Sequence, residues 1–382
     1  MGAALVALAL PSVAAAACPT SPLSPAALTG FEHGRHGYSA DNLLSSGSTS
    51  ITSAAARNGA YGVRVNAAGA PANQWFLWNE YGGDGVVRFA FKLDSLPAGD
   101  VRELFSMDTY SKSSTRIGYD AATQSLKLSV DSSSGGSASV AGPAVTAGAW
   151  HVVDVRYSTY GFHWTDWYVD GVQHPSAATS GPQEYLHYVR FGSTAADTFT
   201  ASYDDVLISA SDTDYPVGDG AVHVLRPNGS SATNGNLRDN DGTLVDAASW
   251  TRLDEIPATS TADFIQQTKA SSTSYAQISF QDTAAACARA VRGYLTTHSQ
   301  ASNNANDAKL VFLDGAKESV VRAGDWAANN TRSRDYSDTV TPASAWSQAA
   351  LNGLVARFGY SMDVKPVPIL DGVLVEYEVP LP

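Results

Sequence analysis

The sequence predicts an all-β protein of two antiparallel β-sandwiches in tandem, with one short helix in the second. With 382 residues, the chain is long enough for two domains of ordinary size. From about residue 28 to 211, short runs with apolar residues at alternate positions are separated by Gly, Ser and Asp clusters, which is typical of half-buried strands. The pattern restarts after residues 211–220, which are rich in Asp, Gly and Pro. Each half-buried strand needs a second sheet to cover it, so we expect sandwiches.

The domain boundaries follow from these shifts in composition. Residues 1–17 form an apolar run that ends in small residues and resembles a secretory signal peptide, although no Lys or Arg precedes it. Residues 18–27 are a Pro/Ser linker. The remaining boundaries give a first domain at 28–211, a linker at 212–220 and a second domain at 221–382. We therefore expect a secreted or cell-surface protein without a transmembrane segment.

The stretch HWTDWYVDGVQH, residues 163–174, predicts one strand and the turn that follows it. Side chains alternate between the two faces of a strand, so odd-numbered and even-numbered positions point in opposite directions. We expect the odd set to be core: Thr165, Trp167 and Val169. We expect the even set to face outward: Trp164, Asp166 and Tyr168. Asp170-Gly171 then suits a two-residue hairpin turn, because both residues tolerate a positive φ.

One helix is predicted in the second domain. Thr341 is a suitable N-cap and Pro342 suits the first turn. Trp346, Ala350 and Leu354 then share one face of the predicted helix. The two cysteines, Cys18 and Cys287, are far apart, and their spacing does not establish whether they pair.

Five segments of the first domain resemble the laminin-G-like branch of the concanavalin-A-like jelly rolls. They are GFEHG at 30–34, ARNGAYGVRV at 56–65, WHVVDV at 150–155, WYVDG at 167–171 and YDDVLIS at 203–209. The second half, with WTRLDEIP, is similar to sandwich domains that follow such jelly rolls in phage tail-associated and bacterial surface proteins. That superfamily includes lectins, carbohydrate-binding modules and glucanases, so the fold does not establish the function.

The resemblance implies a structural calcium site formed by Glu32, Asp204 and Asp205. In jelly rolls the first and last strands commonly lie side by side, which would bring these carboxylates together. Oxygen ligands of this kind are what Ca²⁺ prefers. The alternative is that Asp204 and Asp205 bond neighbouring loop amides or face solvent.

The sequence offers no constellation for catalysis, so we expect a non-enzymatic protein. The ExDxxE pattern of glucanases with this fold does not occur in residues 28–211, and the sequence contains no GxSxG, HExxH or phosphate-binding loop. Glu376 and Glu378 alternate in the last strand, where an exposed, solubilising face is the favoured interpretation. For His33 and His36, a solvated pair in a Gly-rich loop is favoured over a metal site.

The outward rings suggest a binding platform. Trp164 and Tyr168, with Asp166, would offer a sugar-stacking surface, and Trp78 and Tyr81 could extend it if the two strands share a sheet. The alternative is that these rings close a rim of the core.

The function predicted from these residues is recognition of a glycan or another surface polymer. A phage tail or virion component that binds neighbouring subunits is the second hypothesis, and a glycoside hydrolase is a weaker third. Only 16% of residues are charged and the net charge is -13. Nucleic acid is therefore not an expected partner, because phosphate binding depends on clustered basic side chains.

Overall fold

A computed structural model of the chain describes residues 22–34, 43–77, 84–97, 102–111, 113–159, 162–233, 236–254, 263–269, 271–299, 309–323, 334–360 and 368–381. The described part is almost entirely β-structure and forms two antiparallel sandwiches in tandem, which confirms the predicted fold class. The strands of the first sandwich are β1 Ala27–Thr29, β2 Leu43–Ser46, β3 Thr49–Thr52, β4 Gly62–Leu77, β5 Asp84–Ser95, β6 Arg102–Thr109, β7 Ser114–Asp120, β8 Ser125–Asp131, β9 Ser137–Ala144, β10 Trp150–Ser158, β11 Phe162–Val169, β12 Val172–Ser180 and β13 Leu186–Ser209.

The first sandwich is a jelly roll whose two layers share two long, bent strands. Sheet 1 has the order β12-β11-β10-β5-β13 and uses the C-terminal half of β13. Sheet 2 has the order β13-β6-β7-β8-β9 and uses the N-terminal half of β13. β4 pairs with β13 along both halves, and the register between them shifts from Ser193 to Thr198. Such irregularities bend strands, which lets both strands pass from one sheet to the other.

The two sheets enclose an aromatic core. Phe89 of sheet 1 stacks on Phe105 of sheet 2 with ring centroids 4.7 Å apart. The Thr115 and Thr165 hydroxyls, which also come from opposite sheets, lie 3.0 Å apart. Apart from this hydroxyl pair, the apolar inward side chains of both sheets form one continuous core.

The side-chain directions predicted for β11 are confirmed. Trp167 is 0% exposed, and Thr165 and Val169 are also buried. The even-numbered side chains are half-buried on the outer face. Asp170 and Gly171 have φ values of 51° and 74°, as the predicted turn requires.

The second sandwich has two sheets around its own core. Its strands are β14 Gly220–Leu225, β15 Pro227–Ala232, β16 Leu237–Asp239, β17 Ile265–Gln267, β18 Tyr275–Phe280, β19 Ala290–Ser299, β20 Lys309–Asp314, β21 Lys317–Ala323, β22 Arg334–Thr339, β23 Val355–Gly359 and β24 Pro368–Pro380. One sheet has the order β16-β17-β24-β19-β22 with β14 beside β24, and the other has the order β15-β18-β23-β20-β21.

The helix of the second sandwich is shorter than predicted and begins later. Helix α1 spans Gln348–Asn352, and its N-cap is Ser347, whose hydroxyl accepts a hydrogen bond from the Ala350 amide at 3.2 Å. The predicted cap at Thr341 is wrong, because the Thr341 amide donates to the Ser319 hydroxyl on β21 instead. A tertiary contact therefore takes the place of the helical turn that the local sequence favours.

The sandwiches pack against each other through the outer face of sheet 1. Arg88 on β5 forms an ion pair with Glu378 on β24, and both side chains are 0% exposed. The backbone amide of Glu32 donates to Glu376 Oε1 at 2.9 Å. A small apolar cluster completes the contact: Leu28, Val86, Leu207, Val217, Val222 and Ala290.

Two predictions of exposure are wrong because of this contact. Glu376 and Glu378 are both 0% exposed, since the outer face of β24 is covered by the first sandwich. His33 is only 2% exposed, and its ring lies 5.6 Å from that of Tyr294 on β19. His36 lies outside the described residues.

No helix within the described residues is long and apolar enough to cross a bilayer. Cys287, which is buried, is disulfide-bonded, whereas Cys18 lies outside the described residues.

Candidate functional site

The predicted ring platform lies on the outer face of sheet 1, where its rings already have partners. The Arg156 guanidinium lies 4.9 Å from the centroid of the Trp164 ring and donates to Asp166 at 2.6 Å. The same guanidinium lies 4.9 Å from the Tyr215 ring. Tyr168 packs edge-to-face against Tyr215 at 5.5 Å. These contacts occupy much of the ring surface that a sugar would need.

The other predicted members of that platform, Trp78 and Tyr81, lie outside the described residues. β5 and β10 are neighbours in sheet 1, and β11 lies next to β10. β5, which follows residues 78–83 in the sequence, is two strands away from β11, which carries Trp164. Whether these rings extend the platform stays a prediction.

The carboxylates predicted to bind calcium come together as expected, because β1 pairs with β13. Their oxygens, however, accept hydrogen bonds from the protein. Asp204 Oδ2 and Glu32 Oε1 each accept two backbone amides of the segment 57–61 at 2.7–3.1 Å. Asp205 Oδ1 accepts the Val222 amide at 2.7 Å.

This arrangement does not fit a calcium ion. Six or more oxygen ligands are needed, whereas five of the six carboxylate oxygens already accept hydrogen bonds, Glu32 Oε2 being the exception. Among the described residues no group of three or more His, Cys, Asp or Glu is arranged to hold a metal. Burial, followed by the charge of Asp205, raises the pKa of Asp204 well above its usual range. These side chains anchor the segment 57–61 and the domain contact.

A second surface, which the sequence analysis missed, lies on the outer face of sheet 2. The strand register places one outward row across five neighbouring strands. In order, the row is Trp75, Arg190, Ser106, Arg116 and Ser129. The inward row beside it is entirely apolar over four strands: Phe191, Phe105, Ile117 and Leu128. One face of sheet 2 therefore fills the core and the other presents a polar surface.

This polar surface contains two cavities, which together we call the groove. One has a volume of about 530 Å³ and lies over β6 to β9, and the other, of about 480 Å³, lies over β13, β6 and β7. Arg116 and Thr194 line both cavities. The two cavities therefore adjoin, and the groove runs across the strands.

One end of the groove is aromatic. Tyr110 is 82% exposed, and its ring lies edge-to-face with that of His187, with centroids 5.4 Å apart. His187 and Tyr188 are 4.1 Å apart, and Tyr188 is 5.3 Å from Trp75. The Arg190 guanidinium lies 4.1 Å from the Tyr188 ring centroid. Four rings thus follow one another, three of which line the groove, and Tyr110 at the end of the series is almost fully exposed.

The rest of the groove is lined by arginines paired with carboxylates. Arg190 pairs with Asp108, and Arg102 pairs with Asp197 at 2.8 Å. Arg116 contacts two carboxylates, Glu103 at 3.3 Å and Asp131 at 3.0 Å. These pairs present guanidinium donors and carboxylate acceptors side by side, which is what hydrogen bonding to hydroxyl groups requires.

Glu103 is largely buried in the groove. Burial raises its pKa, whereas the charge of Arg116 and hydrogen bonds from Thr194 act in the opposite direction. The Ser106 hydroxyl lies 3.3 Å from Glu103 and 3.4 Å from Asp108. Two carboxylates that line the groove therefore flank one buried hydroxyl.

The sequence carried a signal for this surface. The segment EYLHYVR, residues 184–190, contains Tyr185, His187 and Tyr188 next to a cation. Strand alternation alone places Tyr188 and Arg190 on the same face. It does not show which strands lie beside them, so Tyr110 and Arg116 were not recognised as neighbours.

Comparison with known proteins finds similarity to solved structures alone. No family model matches the chain, and no curated protein matches it. Three similar solved structures are an endo-β-1,4-glucuronan lyase from the fungus Trichoderma reesei, a carbohydrate esterase from the Shiga toxin-encoding bacteriophage phi24B and the carbohydrate-binding module CBM66 from Bacillus subtilis. Their identities are 14%, 11% and 11%, and their TM-scores are 0.38, 0.37 and 0.31. The matches cover 49%, 49% and 45% of this chain and 96%, 98% and 97% of the other chains. Similarity at this level carries no argument about ligand or activity.

Proposed function

We propose that the first sandwich is a non-enzymatic glycan-binding module and that the groove on sheet 2 is its binding site. The observation that carries this proposal is the exposed Tyr110 ring at the end of a groove whose floor offers paired donors and acceptors. A sugar ring stacks its apolar face on an aromatic side chain, while its hydroxyls both donate and accept hydrogen bonds. The groove provides both kinds of contact.

The groove supports this function better than the outer face of sheet 1 does. Trp164 is already covered by the Arg156 guanidinium, and Tyr168 packs against Tyr215. Tyr110, in contrast, contacts only the edge of His187 among the aromatic rings that the structure describes. A shallow surface of this type binds weakly at each site, so avidity from several copies would increase the overall affinity.

The experiment is a broad glycan array followed by calorimetric titration with Tyr110→Ala. We expect wild type to bind and Tyr110→Ala to bind about tenfold more weakly, which corresponds to about 1.4 kcal/mol. Because Tyr110 is almost fully exposed, its truncation should leave the melting temperature unchanged.

Trp164→Ala tests the competing ring surface. Under the proposal it binds as tightly as wild type does. Loss of binding in Trp164→Ala with normal binding by Tyr110→Ala would move the site to the outer face of sheet 1. No binding by wild type to any glycan on the array would remove the proposal altogether.

Glycan cleavage is a second candidate, favoured by the Glu103 and Asp108 carboxylates that flank the Ser106 hydroxyl. Glycoside hydrolysis uses two carboxyl groups, one of which has a raised pKa. Incubating wild type with the bound glycan and analysing the products separates the two functions. Products that are absent with Glu103→Gln would establish cleavage, whereas binding without products supports a module.

Two further proposals concern family and location. We infer that the first sandwich belongs to the laminin-G-like branch, on the support of the five segments that resemble it. We also propose that the protein is exported. The apolar run at 1–17 supports export, and so does the disulfide at Cys287, because disulfides persist in oxidising compartments.

A further inference from the structure

We infer that the groove selects uncharged, hydroxyl-rich glycans and discriminates against polymers that carry carboxylate or sulfate groups. This inference rests on the proposed function and names the ligand class of the same site. It is carried by the balance and pairing of the charges that line the groove.

Among the residues that the structure describes, the groove has no excess of positive charge. Its lining includes three arginines and four carboxylates, hence a net charge of -1. The positive residues are Arg102, Arg116 and Arg190, and the negative ones are Glu103, Asp108, Asp131 and Asp197. Lys127 lies two residues before Ser129 on β8, and including it brings the sum only to zero. Binding of an anionic polymer depends on a positive potential, which this lining lacks.

Each guanidinium is also engaged by a carboxylate of the protein. Arg116, the most exposed of the three, contacts both Glu103 and Asp131. A ligand carboxylate that takes the N–H groups facing these side chains displaces one of them, and one that binds elsewhere on the guanidinium is repelled by both. Displacing Glu103, whose side chain is 13% exposed, would leave a largely buried carboxylate without its cation.

The ion pair between Arg102 and Asp197, at the far end of the groove, also disfavours an anionic ligand. Asp197 is 3% exposed and pairs with Arg102. Taking Arg102 away from Asp197 would leave a buried charge, which disfavours an anionic ligand there as well. A hydroxyl group does not displace either partner, because it can accept from the guanidinium and donate to the carboxylate simultaneously.

The net charge of the whole chain also disfavours an anionic ligand. The net charge of -13 repels a polyanion at long range, although salt screens this effect beyond about 10 Å at 0.1 M. An uncharged polymer approaches without this barrier. We therefore expect binding of the preferred ligand to depend little on salt.

The test compares two classes of polymer on the full chain at pH about 8, where an unperturbed imidazole is neutral. Dextran and laminarin represent the uncharged class, and alginate, polygalacturonate and heparin represent the anionic class. Affinity electrophoresis and calorimetry are run at about 50 mM and about 500 mM NaCl. We expect at least one uncharged polymer to bind about tenfold or more tightly than every anionic one, with less than about a twofold change between the two salt concentrations.

Asp131→Asn makes the test more specific. Asp131 is 37% exposed and pairs with Arg116, so the substitution removes one negative charge from the groove without burying an unpaired group. We expect binding of alginate or polygalacturonate to strengthen at least about threefold at low salt. Asp120→Asn, on the neighbouring strand β7, changes the net charge equally at a position outside the groove lining and should have no such effect.

The outcomes separate the two proposals. Tighter binding of an anionic polymer that weakens with salt overturns this inference and leaves the glycan-binding function intact. Binding of neither class overturns both. Equal effects of Asp131→Asn and Asp120→Asn would show that net charge, rather than the pairing in the groove, controls selectivity, and would also overturn the inference.

Discussion

At the scale of single residues, Trp164 and Trp167 show how one strand separates structural from surface roles. Trp167 is 0% exposed, and its indole N–H donates to the Pro175 carbonyl at 3.0 Å. Gly142 on β9 lies so close to the ring that an added Cβ would be 2.3 Å from a ring carbon. Trp164 lies on the opposite face, against Arg156.

Trp167→Ala should therefore destabilise the first sandwich by about 3–5 kcal/mol, because it removes a large buried side chain and leaves a cavity. The matched variant Trp164→Ala should cost less than about 1 kcal/mol, since it removes a half-buried surface ring. Urea unfolding followed by circular dichroism measures both. Equal losses in the two variants would contradict the assignment of the two faces.

At the scale of elements, β13 determines the shape of the jelly roll, because its 24 residues serve both sheets. Gly192 lies in the part of β13 that belongs to sheet 2, close to the change of sheet, with φ of +109°. A Cβ at this position would lie 2.4 Å from the Ala72 carbonyl oxygen on β4. The two bent strands can approach this closely only because residue 192 has no side chain.

Gly192→Ala is accordingly expected to destabilise the protein by about 2–4 kcal/mol, through backbone strain and a clash with β4. Gly135 is the control, because its φ of +93° imposes similar strain while a Cβ there meets nothing within 4 Å. Gly135→Ala should cost about 1 kcal/mol. Thermal unfolding of both variants provides the comparison, and an equally small loss for each would mean that the approach of β4 to β13 is not tight.

The local sequence pattern predicts the strands better than it predicts the start of the helix. The strand alternation predicted β11, its turn and the restart of strands in the second domain. It placed the helix too early, because the Thr341 amide donates to Ser319 on β21 and the Ala343 amide donates to Asp314 on β20 before the helix begins. Local propensity favours a cap at several positions, and tertiary hydrogen bonds select among them.

At the scale of the whole molecule, the contact between sandwiches buries carboxylates that a strand pattern would leave in solvent. Glu376 is 0% exposed, and its Oε2 has no hydrogen-bond partner. Burial, followed by the nearby charge of Glu32, raises the pKa of Glu376 to about 8. In the folded protein, the Glu376 carboxyl group is therefore mostly protonated and neutral around neutral pH.

This shift predicts how stability depends on pH. The folded pKa, about 8, lies above the usual value of 4.5, so the contribution of Glu376 is complete below about pH 4.5 and is lost as pH rises towards 8. Glu376→Gln, which cannot ionise, should gain stability relative to wild type over that range by up to about 1.4 kcal/mol per pH unit. Denaturant unfolding at a series of pH values measures the difference.

Glu318→Gln, at an exposed position on β21, is the matched control and should follow wild type at every pH. A constant difference between Glu376→Gln and wild type from pH 5 to 8 would show that Glu376 is ionised in the folded protein.

The sequence by itself determined the fold class, the two domains, and the inward and outward faces of β11, because strand alternation depends only on near neighbours. Only the tertiary structure decided that Glu376 and Glu378 are buried and that Tyr110, Tyr188 and Arg116 share one groove. Those facts depend on which distant strands become neighbours. β13 pairs with β6, and β24 packs against the first sandwich. Both contacts join residues that are far apart in the chain, so a local sequence pattern does not predict them.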